Sequence, residues 1–150
     1  MKLLARILTS LLGQRYGEGE PVPDMYLPNR LLAIAGILAA MGIGAGVVAV
    51  MTATPLYFIF AVLLFPLGIV AFLCWKNQSI RIITSTTFEH TTFLGNTHTY
   101  RFADITGLRK NSDSMTLFVG SKKIHIESMA ILSERLVKEI VIALEPITDQ

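Results

Sequence analysis

Hydrophobic and polar positions follow three different rhythms along this 150-residue chain. From Leu31 to Trp75, 45 consecutive residues contain no Asp, Glu, Lys, Arg or His. A membrane-spanning helix needs roughly 20 apolar residues. The run therefore predicts a hairpin of two transmembrane helices, over about 31–51 and 56–75, broken at the "TATP" of residues 52–55. Beyond it, apolar positions alternate with polar ones and are interrupted by turn residues, which predicts short strands and then one helix over 78–145. Ahead of it, "MKLLARILTSLLGQR" places Leu3, Leu4, Ile7, Leu8, Leu11 and Leu12 on one helical face, with Lys2, Arg6 and Thr9 outside it. That pattern predicts an amphipathic interfacial helix over 1–15, with packing on the soluble domain as its competitor. Arg6 interrupts the apolar core that a signal peptide would need, and no small-residue cleavage pattern follows. Residues 16–30, rich in Gly and Pro, read as an extended linker.

The glycines in "AGILAAMGIGAGVVAV" raise a second question. A dinucleotide-binding turn needs G-x-G-x-x-G between a strand and a helix, with an acid about 20 residues on. Here the spacing is G-x-G-x-G inside an unbroken apolar run, and the next acid after Gly46 is Glu89. The phosphate reading fails. As a helix, Gly36, Ala40 and Gly44 line one face, and Gly42 and Gly46 form a neighbouring G-x-x-x-G pair. Small residues let helix backbones approach in lipid. The expected partner is the chain's own second span, with a homodimer seam as the alternative.

Thr54 and Pro55 suit the N-cap and first position of the second span. Pro66 predicts a kink within it, and Tyr57 and Trp75 fall near its ends, where amphipathic rings favour the membrane interfaces. Arg30 precedes the hairpin, Lys76 and Arg81 follow it, and the loop between the spans is uncharged. The positive-inside rule then predicts cytoplasmic termini and a cytosolic domain.

In that domain, "SMTLFVGSKKIHIES" turns at Gly120-Ser121, a type II′ hairpin signal. The implied register sets Leu117 opposite Ile124 and Met115 opposite Ile126. It puts these residues and Val119 on one face, with Thr116, Phe118, Lys123, His125 and Glu127 on the other. A second hairpin is expected to turn at Gly95-Asn96, pairing Thr91 with Tyr100 and Glu89 with Phe102. "DITGLRK" supplies a further strand. "LSERLVKEIVIAL" is helical, with a Leu132, Leu136, Ile140, Leu144 stripe, Ser133 as its cap and Pro146 as its end.

Only 16% of the residues are charged and the formal net charge is +2, too small to argue for nucleic acid. The single cysteine, Cys74, rules out an internal disulfide or a Cys-rich zinc site. His90, His98 and His125 lack the spacing of metal ligands and read as strand-surface residues. Neither catalysis nor a cofactor is expected, because no nucleophile elbow frames a serine near His98 or Asp104. Arg109-Lys110 and Lys122-Lys123 are the candidate anion or lipid contacts. They flank opposite ends of one strand, about 20 Å apart at roughly 3.3 Å per residue, so convergence on one phosphate is not expected.

The order "IRIITSTTFEHTTFLGNTHTYRFADITGLRK", then "TLFVGSKKIHIES", then the amphipathic helix resembles the bacterial pleckstrin-homology-like (PH-like) domains that follow paired membrane helices in small proteins. The most specific element is "YRFADITGL". The resemblance implies an α+β domain, a bent antiparallel sheet or partial barrel with a C-terminal helix, joined to the membrane hairpin. It also implies a non-enzymatic interaction or scaffold module at the bacterial inner membrane. Its partners would be the lipid bilayer and an unidentified protein or a second copy. The alternative is a sensor of anionic lipid headgroups using Arg109, Lys110, Lys122 and Lys123. The phosphoinositide mode of eukaryotic relatives is not expected, since "ITSTTFEHTTF" contains no Lys or Arg.

Overall fold

The computed structural model describes residues 21–148, with side chains through residue 145. The helix expected over 1–15 lies outside the described residues. The chain forms two compact units, one containing Pro28–Asn77 and the other containing Gln78 onward with the segment that ends at Leu27.

The first unit is a pair of antiparallel helices, α1 (Asn29–Thr52) and α2 (Pro55–Asn77). Both are long and apolar enough to cross a membrane, and only 11% and 6% of their most apolar stretches are buried, unlike the core helix of a globular domain. They are joined by Ala53 and Thr54. Ala53 takes the left-handed conformation (φ 51°) usually given to glycine at a helix end. Pro55 is the first residue of α2, as expected, but the Thr54 hydroxyl donates to the Thr52 carbonyl (3.3 Å). At the other end of the pair, Trp75 Nε1 donates to Asn29 Oδ1 (3.3 Å). Helix α2 runs through Pro66 without a break; the missing N–H forfeits one hydrogen bond.

Among the described residues the second unit contains eight short strands and one α-helix. Strands β1 (Met25–Tyr26), β2 (Ser79–Ile82), β3 (Thr87–Thr91), β4 (Thr97–Arg101) and β8 (Ile131–Leu132) form one antiparallel sheet, ordered β4-β3-β2-β1-β8. Strands β5 (Ile105–Lys110), β6 (Ser114–Val119) and β7 (Lys122–Glu127) form another, ordered β5-β6-β7. The two are separate sheets and not a closed barrel. A 3-10 turn, Phe102–Asp104, carries the chain from β4 to β5. Helix α3 (Glu134–Thr148) packs on β5 and that turn. Leu136 and Ile140 on its inner face join Met25, Ile80, Phe88, Leu117, Ile124 and Ile126 in one apolar core.

The β6–β7 hairpin has the expected register, with Leu117 opposite Ile124 and Met115 opposite Ile126. Gly120 has φ +56° and Ser121 has no positive φ, which fits a type II′ turn and excludes type I′. The β3–β4 hairpin corrects the expectation. Thr91 pairs with Thr97, Glu89 with Thr99, and Phe88 with Tyr100. Thr92 N donates to Asn96 O and Gly95 N to Thr92 O, both at 2.9 Å. Gly95 (φ +86°) is therefore the last residue of a three-residue loop, Phe93 to Gly95, and not the first of a two-residue turn. This register brings the Phe88 ring within 5.7 Å of Tyr100, and Phe102 lies 4.8 Å away on the same ring.

Two further expectations change. The segment read as linker supplies β1, which pairs with β2 on one side and β8 on the other; Met25 is wholly buried. Helix α3 continues to Thr148, past Pro146, since a proline in a last turn removes one N–H without ending the helix. Ser133 caps it as expected, its Oγ accepting from Leu136 N at 3.1 Å.

Candidate functional site

Asp24, at the entrance to β1, ties three parts of the second unit together. Its Oδ2 accepts from Ile82 N (2.8 Å) and its Oδ1 from Ser133 Oγ (2.8 Å). Its carbonyl accepts from Ser133 N (2.7 Å). The same Ser133 Oγ caps α3, so one carboxylate links β2, β1 and the start of the last helix. A lone acid between Pro23 and an apolar pair gives no warning of this role in one dimension.

A groove of about 460 Å³ lies between the 3-10 turn and α3. Phe102, Ile105, Ile142 and Ala143 supply its apolar lining, Ser85 and Thr86 one wall, and Arg101 and Glu139 its charged residues. Phe102 and Ile105 are buried at its base, whereas Ile142 is 48% exposed. Sequence reasoning missed it. The available signal was Ile142, an apolar residue off the Leu136–Ile140 stripe that packs the core.

The four basic candidates do not act as two pairs. Neighbours on a strand point to opposite faces, so each pair is split between the two sides of the three-stranded sheet. Arg109 is aligned with Thr116, which is aligned with His125; Lys123 is aligned with Phe118. These residues share the outer face. Lys123 Nζ lies 5.7 Å from the Phe118 ring centroid. Thr116 Oγ1 and His125 Nδ1 are 3.4 Å apart, and His125 Nε2 lies 3.4 Å from Glu127 Oε1. Lys110 instead lines a separate cleft of about 250 Å³ with Glu127 and Ser128. Lys122, aligned with Val119, lies at the turn end of β7.

His90 also departs from the expectation of a surface histidine. It is 9% exposed, between Ile80 on β2 and His98 on β4, and its Nε2 is buried without a hydrogen-bond partner. Burial, and then the neighbouring His98, push its pKa below the ordinary 6.5. Such a histidine is held neutral by the cost of desolvating its charged form.

In the helix pair the small residues divide cleanly. A Cβ on Gly42 would lie 2.6 Å from Phe65 N, one on Gly68 2.7 Å from Ala39 N, and one on Gly46 3.7 Å from Ala61 Cβ. Gly36 and Gly44 have nothing within 4 Å of that position, and Ala40 is exposed with them. The contact face of α1 therefore follows Ala35, Ala39, Gly42, Gly46 and Ala49, in alternating steps of four and three. An antiparallel partner tracks that 3.5-residue seam, whereas the straight four-residue series through Gly36, Ala40 and Gly44 drifts off it.

No family model matches the chain, and no curated protein or solved structure matches it either.

Proposed function

We propose that the chain is a non-enzymatic interaction module, a PH-like domain carried by a two-span membrane hairpin at the bacterial inner membrane with the domain on the cytoplasmic side. The observation that carries this reading is the groove beside α3. It has a buried apolar base, an exposed apolar residue in Ile142, and a charge of each sign in Arg101 and Glu139. A pocket of that composition suits an apolar side chain flanked by polar backbone, as a protein segment provides. Two adjacent sheets followed by a C-terminal helix support the PH-like assignment, and the uncharged loop between helices flanked by Arg30, Lys76 and Arg81 supports the orientation.

The test places a photo-crosslinking residue at Ile142 or, as control, at Lys138 of the full chain in intact cells. The reading expects one discrete protein adduct at position 142 that is weakened by Arg101→Ala and absent at 138. Equal, diffuse adducts at both positions would refute it. The second reading, attraction to anionic headgroups, draws on Arg109, Lys123 and His125 sharing one exposed face. It expects the domain to float with liposomes only when anionic lipid is present, at about 1 kcal/mol per basic residue near the surface.

A further inference from the structure

We infer that the free edge of β4 pairs with the same edge of a second copy of this chain, antiparallel and centred on Thr99. The phase of the β3–β4 ladder carries the argument. Thr92 N donates to Asn96 O, so these residues form a hydrogen-bonded pair. Bonded and non-bonded pairs alternate along an antiparallel ladder. His90–His98 and Phe88–Tyr100 are then bonded pairs, while Thr91–Thr97, Glu89–Thr99 and Thr87–Arg101 are not. The 3.0 Å approach of the Thr91 and Thr97 hydroxyls fits the closer, non-bonded spacing. Thr97, Thr99 and Arg101 consequently turn their N–H and C=O groups outward, away from β3, on a strand that ends its sheet.

That outward row is self-complementary. With Thr99 opposite its own copy, Thr97 of each chain meets Arg101 of the other, and every outward N–H finds an outward C=O. A two-fold pairing of this kind closes on itself and does not propagate. Its side-chain rows set Thr against Thr and His98 against Tyr100, pairs that favour cross-strand contact, and the two Arg101 residues stand at opposite ends. Other edges are guarded against such pairing. Strand β5 has a register shift between Ile105 and Gly107 and carries Arg109 and Lys110; β7 carries Lys122 and Lys123; β8 has only two residues. Strand β4 has no lysine, proline or bulge, and Thr97, His98, Thr99 and Arg101 are exposed.

This deepens the reading as an interaction module by naming one partner, and it uses an edge that meets the groove only at Arg101. The test uses the full chain in membranes and in mild detergent. In a Cys74→Ala background, oxidation should convert Thr99→Cys to a covalent dimer and leave Lys123→Cys monomeric. Opposed bonded residues lie about 5.5 Å apart at Cα, within reach of a disulfide. By light scattering, the parent should be a dimer and Thr99→Pro a monomer of unchanged urea midpoint, because the Thr99 N–H lies outside the intrachain ladder. Should proline disturb the fold, Thr99→Lys gives the same readout. A monomeric parent, a dimer that survives both Thr99 substitutions, or equal crosslinking at positions 99 and 123 would overturn the inference. The crosslink at Ile142 is expected to be indifferent to Thr99→Pro, so failure of the edge and failure of the groove are separable.

Discussion

Replacing Asp24 with Ala should be among the most damaging single changes at a position with no place in the apolar core. The carboxylate accepts from Ile82 N and Ser133 Oγ, both at 2.8 Å in partly buried surroundings. Hydrogen bonds to a charged group contribute about 1.5–3 kcal/mol each. Partial exposure argues for the low end, giving a loss of about 3 kcal/mol against the roughly 5–15 kcal/mol that holds a domain together. Asp24→Asn should cost only about 1 kcal/mol. Its amide oxygen can accept from Ile82 N while its NH2 donates to Ser133 Oγ, so the charge and the acceptor for the Ser133 hydroxyl proton are lost. Ser133→Ala removes one of these bonds and the cap on Leu136, for about 2 kcal/mol. Because the Asp24–Ser133 bond is shared, the double substitution should fall short of the sum by about 1.5 kcal/mol. The assay is pulse proteolysis of the full chain in mild detergent across a urea series. With a slope near 1 kcal/mol per molar urea, the midpoint should fall by about 3 M for Asp24→Ala and about 1 M for Asp24→Asn. An Asp24→Ala midpoint within about 0.5 M of the parent, or strict additivity with Ser133→Ala, would refute the clamp and demote β1 to a peripheral strand.

Two further outcomes follow from the same structure. The folded-state pKa of His90 lies below 6.5, so below pH 6.5 the unfolded chain binds more protons than the folded one. Stability should therefore be fully present above pH 6.5 and fall as the pH drops from there toward the folded-state pKa; urea midpoints at stepped pH should show the decline, and His90→Leu should flatten it. In the helix pair, Gly42→Ala should cost about 1–3 kcal/mol, since its methyl would meet the Phe65 backbone at 2.6–2.8 Å. Gly44→Ala, with open space around it, should stay within about 0.5 kcal/mol. Titration with a denaturing detergent, read by helix-pair mobility, would expose equal effects and so disprove the assigned face.

Periodicity along the chain was enough to determine the elements that depend on local pattern. An uncharged run of 45 residues has to become two long apolar helices, and Gly120-Ser121 sets a register that places Leu117 opposite Ile124, because turn geometry and the two-residue alternation of a strand are short-range properties. The cap at Ser133 and the inner stripe through Leu136 and Ile140 were legible for the same reason. What only the tertiary structure decided is everything that joins residues far apart in sequence. The recruitment of Met25 between β2 and β8, the Asp24–Ser133 bond across 109 residues, the groove where α3 passes the 3-10 turn, and the choice of Gly42 over Gly36 as the contact glycine all belong there. In the β3–β4 hairpin a single glycine could serve either of two loops differing in length. The three-residue loop prevails where it aligns Phe88 with Tyr100 and leaves Phe102 free to join the core. Such choices rest on the free energy of burying surfaces against each other, and a one-dimensional pattern names the surfaces without saying which ones meet.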